Sequence, residues 1–401
     1  VPADFWFDER AAAIAEAFFE RLLCHSKGEW AGQPFGLLDW QRERVIRPLF
    51  GWKRRDGTRR YRTAYVEVPR KNGKTTLAAG IALFLLLADG EPGADVFCAA
   101  ADRAQARLVF DEASAMVSAS PQLSSRAQVY RNSIIVPQTR SAYRVLSADA
   151  YTKHGLNAHA VIFDELHAQP NRDLWDVLAT STGARRQPLT IAITTAGFDR
   201  NSICWEQHEY ARQVAEGIVE DDTFLPVIFA AEQEDDWLDE KVWAKANPSL
   251  GQTVKMDYLR TEAKRAQASP AYQNTFRRLH LNQWTAQESR WLPMIDWDAC
   301  GDPFDARLLE GAACYGGLDL ASTSDIASFV MVFPSEPGEP EQVTVLPRFW
   351  IPQDNMIERA RRDRVPYDAW VRDGLVIATE GNVIDYGYII REIESLGERY
   401  N

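Results

Sequence analysis

Apolar residues in this chain gather in short runs separated by polar loops, and the spacing inside each run indicates an element. Residues 8–24 place Ile14, Phe18 and Leu22 at helical spacing, which predicts an amphipathic helix. Tyr65–Val68 has strand character, a polar loop follows, and Leu77–Ala88 is apolar enough for a core helix. Buried strands are predicted at 95–101, 158–163 and 188–195, with helices over 103–117 and 172–184 between them. The short alternating segments 128–131, 133–136 and 143–147 read as a meander, or as edge strands. From residue 225 the pattern turns helical, with one long helix predicted from Met256 to about Leu279. A new strand system opens at Ala312 as strand, tight turn and strand through Phe333. It continues with 343–351, helical patterns around 354–372, a run at 375–379 and a helix at 388–399. Strands alternating with helices predict an α/β fold with a mainly parallel sheet. The changes of pattern divide it into residues 1–230, 231–310 and 311–401.

The 46% hydrophobic content and 13 tryptophans among 401 residues exclude a disordered chain and are enough for more than one packed core. Cys24, Cys98, Cys204, Cys300 and Cys314 stand singly, which speaks for a reducing compartment and against a zinc site or disulfide framework. No basic-then-apolar leader opens the chain, and the run Ala78–Ala88 is too short to span a bilayer. A soluble intracellular protein is expected. The net charge of −12 argues against static binding to a long nucleic acid. Between Arg42 and Arg62 the balance reverses, with nine Lys/Arg against two acids. That run reads as a solvated hairpin or as a contact to a phosphate backbone.

Chemistry concentrates at Tyr65-Val-Glu-Val-Pro-Arg-Lys-Asn-Gly-Lys-Thr-Thr76, where strand, loop and helix follow one another. A helix N-terminus offers unpaired N–H groups and a positive dipole end, Lys74 can reach outer phosphates, and the hydroxyl of Thr75 can ligate Mg²⁺. Val68 stands where the usual loop has its first glycine. A second motif, Ala158-His-Ala-Val-Ile-Phe-Asp-Glu-Leu-His167, is an apolar strand ending in two acids. One can hold a Mg²⁺ shell and the next can polarise water, although such tips also occur as ordinary strand exits. A third strand ends in Thr194-Thr195-Ala196, hydroxyls that can sense a γ-phosphate. Gln41, beside Trp40, has the amide needed to read adenine. Asp319 near the end of one strand and Asp325 past a turn can hold a divalent ion for phosphodiester hydrolysis, or can simply be an Asp-rich turn.

Together these segments resemble the large terminase subunits of tailed bacteriophages, in the branch similar to that of phage HK97, over nearly the whole chain. The resemblance rests on Val68-Pro-Arg-Lys-Asn-Gly-Lys-Thr75, Val161-Ile-Phe-Asp-Glu-Leu-His167, Thr194-Thr-Ala196, Ala246-Asn-Pro-Ser-Leu250, Leu281-Asn-Gln-Trp284 and Gly317-Leu-Asp-Leu320. It implies a P-loop ATPase, a small helical linker or lid, and the N-terminal part of a ribonuclease-H-like nuclease. An ATP-driven motor moves double-stranded viral DNA into the procapsid, and a metal-dependent endonuclease cuts the concatemer. ATP would lie on Arg70, Lys71, Asn72, Gly73, Lys74, Thr75 and Thr76, with Gln41 at adenine. Thr75 and Asp164 would hold Mg²⁺, Glu165 would be the catalytic base, and Arg70 a cation for the γ-phosphate. Thr194, Thr195 and Ala196 would couple hydrolysis to movement. Asp319 and Asp325 would hold Mg²⁺ or Mn²⁺ for DNA cleavage, with further acids expected on a strand after Asn401. The implied partners are the portal protein, the small terminase subunit and further copies of the chain, as a pentameric ring. The implied location is the host cytoplasm, docked transiently at the portal and away from membrane. Relatives often place a trans-acting arginine where this chain has Lys153-His154-Gly155. A helicase-like translocase should carry a second motor domain with an arginine motif, and a non-hydrolysing scaffold should lack Glu165.

Overall fold

Contacts divide the chain into two units, Val1–Pro293 and Met294–Asn401. The computed structural model describes residues 4–146, 155–285, 294–301, 304–322, 325–335, 343–354, 356–363 and 365–400. In the first unit, β1 (Phe5–Phe7) and β2 (Trp52–Arg54) form a small antiparallel ribbon. The main sheet comprises β3 (Thr63–Glu67), β4 (Asp95–Ala99), β5 (Gln128–Val129), β6 (Ser133–Val136), β7 (Ser141–Leu146), β8 (Ala160–Asp164), β9 (Leu189–Thr194) and β10 (Phe224–Ile228). Their order is β10-β3-β9-β8-β4-β7-β6-β5. The strands from β10 to β7 run parallel, and β6 and β5 fold back antiparallel as an edge meander.

Side-chain alternation along these strands feeds two cores. Ala64, Val66, Ile162 and Ile191 pack on one face with the helices Glu9–Leu22, Lys74–Leu87 and Arg103–Ala119. Tyr65, Val161, Phe163 and Ala192 face the other way, towards Leu174, Trp175 and Cys204. Both faces are covered, so the strands are apolar throughout, as a parallel sheet requires. Parallel pairing also sends the carboxyl ends to one rim: Glu67 pairs with Thr194, and Asp164 with Ile193. That rim is where open α/β sheets bind ligands.

Four sequence expectations change. The buried stripe of the first helix is Ala12, Ala15, Phe18 and Phe19, while Ile14 is half-exposed, because the seam turns one residue away from the expected row. The long helix expected from Met256 is two, Met256–Ala268 and Pro270–Leu281. Pro270 cannot continue the first helix but suits the opening turn of the second. The pattern gave no strand at 224–228, where Pro226 interrupts the apolar run. β10 is an edge strand, where proline is tolerated. The basic run forms a helix (Arg47–Gly51) and then the expected hairpin, in which β2 turns back so that Lys53 pairs with Arg59 and Arg60 N donates to Trp52 O at 3.0 Å, but the hairpin is only partly solvated. Most of its arginines are paired within the chain: Arg42 with Glu20, Arg47 with Glu9 and Glu16, Arg60 with Asp222. Arg59 is buried and meets Asp89 at 2.5 Å.

In the second unit the order is β11 (Tyr315–Asp319), β12 (Ala327–Pro334), β13 (Val343–Pro352) and β14 (Ile377–Thr379). The first three are antiparallel and β14 runs parallel to β13. The helix Tyr386–Arg399 buries Ile389 with Ala327 and Trp350, and Leu396 with Met331 and Phe333. No helix among the described residues is long and apolar enough to cross a membrane.

The N-terminal helix closes on the Lys74–Leu87 helix at Gly80, where an added Cβ would lie 2.3 Å from Phe19 Cε1 and 3.0 Å from Leu23 Cδ1. Gly80→Ala should therefore lose about 1–3 kcal/mol to overpacking despite its better helix propensity. Thermal denaturation tests this, and a raised melting temperature would show that the contact is not tight.

Candidate active site

The loop leaving β3 is bent by two left-handed residues, Lys71 (φ 71°) and Gly73 (φ 81°). Gly73 caps the Lys74–Leu87 helix with no side-chain hydrogen bond, so the first N–H groups of that helix remain available to an anion. Lys74 is buried. Its Nζ donates to the carbonyls of Val68 (3.1 Å) and Pro69 (3.4 Å) and lies 3.6 Å from Glu165 Oε1. Burial lowers its pKa, against the pull of Glu165 and Asp164.

Asp164 and Glu165 end β8 beside that lysine. Burial, with the charge of Glu165, pushes the Asp164 carboxyl up to about 7. Gln105 Nε2 approaches its Oδ2 at 3.4 Å, while the buried Oδ1 has no hydrogen-bond partner among the described residues. A buried carboxylate oxygen without a partner suits a hard cation, and Mg²⁺ in nucleotide sites needs only one or two carboxylates beside the phosphates. Glu165 adopts φ 51°, a strained backbone for a residue with a Cβ. Burial alone would raise its pKa, but Lys74, His167 and Arg70 outweigh burial and bring it to about 2. Its Oε2 accepts from Thr195 N at 3.3 Å and lies 3.2 Å from His167 Nδ1.

His167 links the acids to the neighbouring strand. Its backbone N–H donates to Thr194 Oγ1 (3.2 Å), and its Nδ1 lies 3.1 and 3.3 Å from the hydroxyls of Thr194 and Thr195. Ala196 N in turn donates to Asn282 Oδ1 at 2.7 Å. Sequence reading gave His167 no role, although it stands two residues beyond Glu165.

Asn72 behaves differently from its loop neighbours. It is fully buried; its Nδ2 donates to Asn247 Oδ1 (2.9 Å), and its Oδ1 accepts from Ser249 N (3.1 Å). Asn247 Nδ2 donates to His280 O (2.8 Å), and Arg70 N to Leu279 O (2.9 Å). The Asn-Pro-Ser turn and the end of the Pro270–Leu281 helix therefore hold the loop from outside the sheet. Trp284 Nε1 reaches Glu67 Oε2 at 3.3 Å, and the same buried carboxylate takes the Tyr65 hydroxyl (2.5 Å) and lies 2.9 Å from His208 Nδ1. These contacts give the Asn-Pro-Ser-Leu and Leu-Asn-x-Trp segments a physical task.

A cavity of about 580 Å³ opens over the loop. Arg70, Lys71, Gly73, Lys74, Thr75 and Thr76 line one side. Gln105, Glu165, His167 and Thr253 stand among the others, and the buried Thr253 hydroxyl has no hydrogen-bond partner among the described residues. Thr253 and Gln105 carried no recognisable sequence signal, since folding alone brings them there. Gln41 is buried: its Oε1 accepts from Leu38 N at 3.1 Å, and a Cβ on Gly73 would lie 3.2 Å from its Nε2. Lys153 and His154 lie outside the described residues.

In the second unit, Asp319 closes β11 and Asp325 stands shortly before β12, its Oδ1 accepting from Ile326 N at 2.8 Å. Among the described residues no group of three His, Cys, Asp or Glu side chains is gathered to hold a metal ion.

Comparison with known proteins shows what the chain is similar to. Residues 39–213 match the family "Terminase large subunit, ATPase domain", and residues 218–401 match "Terminase large subunit, endonuclease domain". The chain is 30% identical to the terminase large subunit of Enterobacteria phage HK97 over 387 residues, 95% of this chain and 73% of that protein. It is 32% identical to protein YmfN of Escherichia coli K12 over 247 residues, 60% of this chain and 54% of that one. The crystal structure of the HK97 large terminase superposes with a TM-score of 0.60 at 29% identity, covering 96% of this chain and 77% of that one.

The hold on the loop is testable through Asn247. Asn247→Ala removes the 2.9 Å acceptor of the buried Asn72 amide, which keeps only the longer contacts to Pro69 O and Arg70 O, and should cost about 1–3 kcal/mol of stability. With Asn72→Ala added, the loss should fall short of the sum of the two single losses. Additive losses in thermal or urea denaturation would show that the two side chains do not act as a unit.

Proposed function

The chain belongs to the terminase large subunit family, ATP-hydrolysing DNA-packaging motors joined to an endonuclease, and we propose that ATP is hydrolysed between Lys74 and Glu165. The observation that carries this is their approach to 3.6 Å across the rim of the sheet. Without nucleotide, Lys74 is shared among two carbonyls and Glu165. A triphosphate would draw the ammonium to its outer phosphates and leave Glu165 with less positive charge beside it, raising its basicity. Glu165 then accepts the proton of the attacking water. Arg70, on the cavity wall, adds positive charge near the γ-phosphate. Thr75 and Asp164 would hold Mg²⁺, which neutralises phosphate charge when bound.

His167 carries the change onward. A shift of Glu165 alters its contact with His167, and His167 touches the hydroxyls of Thr194 and Thr195. Ala196 passes it to Asn282. The work is divided among residues 1–230 as the ATPase, 231–310 as a linker or lid, and 311–401 as the nuclease. By contact the helices Glu240–Leu281 belong with the first unit. Asp319 and Asp325 contribute to a nuclease metal site for Mg²⁺ or Mn²⁺ that needs further acids. The portal, the small terminase subunit and a ring of copies, five by family resemblance, are the partners proposed, in the host cytoplasm. A helicase-like translocase is not favoured, because the family matches together span residues 39–213 and 218–401.

Lys74→Ala should lower ATP turnover by at least about 100-fold, since this lysine meets the charge that develops on the phosphates, in a chain that still folds but melts at a lower temperature because Glu165 loses its buried partner. Normal turnover would remove the loop from the site. Glu165→Gln should retain nucleotide binding and lose about 100- to 10,000-fold in hydrolysis, the usual range for a general base. Asp319→Asn should spare ATP turnover while weakening Mn²⁺ binding measured without nucleotide; unchanged Mn²⁺ affinity would exclude Asp319.

A further inference from the structure

Glu67 ends β3, fully buried, one residue ahead of Val68, whose carbonyl holds Lys74. Its Oε2 gathers groups from three elements: the Tyr65 hydroxyl of β3, His208 Nδ1 of the helix Ile203–Ala215, and Trp284 Nε1 beyond the Pro270–Leu281 helix. Its Oε1 is buried with no hydrogen-bond partner among the described residues. A buried carboxyl costs desolvation that its partners must offset. An indole N–H can only donate, so this carboxyl determines where Trp284 stands.

The indole is braced by other rings as well. Trp205 meets it edge-on at 4.8 Å, and the His208 ring lies 5.2 Å away. Its far edge rests on Gly197, the residue after Thr194-Thr195-Ala196. A Cβ added there would lie 2.9 Å from Trp284 Cζ3, 3.1 Å from Cη2 and 3.4 Å from His167 Cβ. Gly197 is not among the left-handed glycines, so the position needs a glycine for space rather than for backbone freedom. Glu67 pairs with Thr194 in the sheet. The indole therefore reaches from the tip of β3 to the turn after β9, and a shift of one tip against the other must displace it.

We propose that Glu67 and Trp284 are positioning residues for ATP hydrolysis: the carboxyl holds the indole, the indole holds Gly197 beside His167, and His167 keeps Glu165 facing Lys74. The proposal rests on the Lys74–Glu165 reading, and the test separates the two. ATP turnover (kcat) and ADP affinity of the full chain are measured with Mg²⁺ present. Trp284→Phe loses the N–H and the edge that meets Gly197. Its kcat should fall about tenfold, the worth of one hydrogen bond to a charged group, with ADP affinity within about twofold of wild type. Gly197→Ala should lower kcat to a similar extent and spare ADP affinity, because its methyl pushes against the indole and His167. In the double variant the smaller ring leaves room for the methyl, so kcat should recover above that of the slower single variant. Wild-type kcat in either single variant overturns the proposal, and so does a double variant no faster than its slower parent. Equal losses of kcat and ADP affinity also overturn it, since a general loosening of the fold gives that result. Should either single variant fail to fold, Glu67→Gln decides. It keeps the shape and one acceptor but not the charge, and should lower kcat at least about threefold with ADP affinity unchanged. Wild-type kcat in Glu67→Gln overturns the proposal. Normal turnover in Lys74→Ala would instead overturn the hydrolysis reading itself.

Discussion

A buried ammonium facing a buried carboxylate is the constraint on which the first unit turns. Lys74 has almost no water around it, so its charge must be met by the carbonyls of Val68 and Pro69 and by Glu165. Those three groups come from the end of β3, the loop and the tip of β8. Bringing them together requires β3 and β8 to end on the same rim, one strand apart, with β9 between them. The parallel register delivers this. Burial raises the stakes of the pair, since loss of either partner leaves the other charge uncompensated. The same burial keeps Asp164 protonated more readily than Glu165, so two adjacent acids differ in what they can do.

The loop is held from both sides, and this distinguishes it from a simple turn ahead of a helix. From within the sheet, Val68 N donates to Thr194 O at 3.1 Å. From outside, Asn72 is fixed by Asn247 and Ser249, and Arg70 by the end of the Pro270–Leu281 helix. Asn282 and Trp284 extend the same support to Ala196 and Glu67. A movement of the helices Glu240–Leu281 therefore cannot leave the phosphate loop untouched. The coupling has a physical path, made of buried hydrogen bonds.

Legibility followed the range of the physics. The strands and the loop were readable because apolar periodicity and a Lys-Thr-Thr helix start are local signals. The acids of β8 were readable because two carboxylates after an apolar strand form a compact pattern. Thr253 and Gln105 were not, since nothing in their neighbourhoods marks them; they reach the cavity through packing of segments far apart in sequence. Asn72 was grouped with the phosphate-binding residues because it lies in the loop, whereas its side chain turns inward to Asn247. Ile14 and Met256–Leu279 were misread for a related reason. Periodicity locates a helix, but a neighbour such as Gly80 selects the buried row, and a proline decides where one helix becomes two.

Charge shows the same limit on a larger scale. Nine cations in 21 residues suggested a patch that could grip a phosphate backbone. In the folded chain Arg42 and Arg47 are drawn to the acids of the N-terminal helix, and Arg60 to Asp222. Arg59 is buried with Asp89, which also lies 2.8 Å from His159. Each such pair removes a cation from the set able to displace counterions from DNA. A segment neutralised in this way, in a chain of net charge −12, provides structure more than affinity.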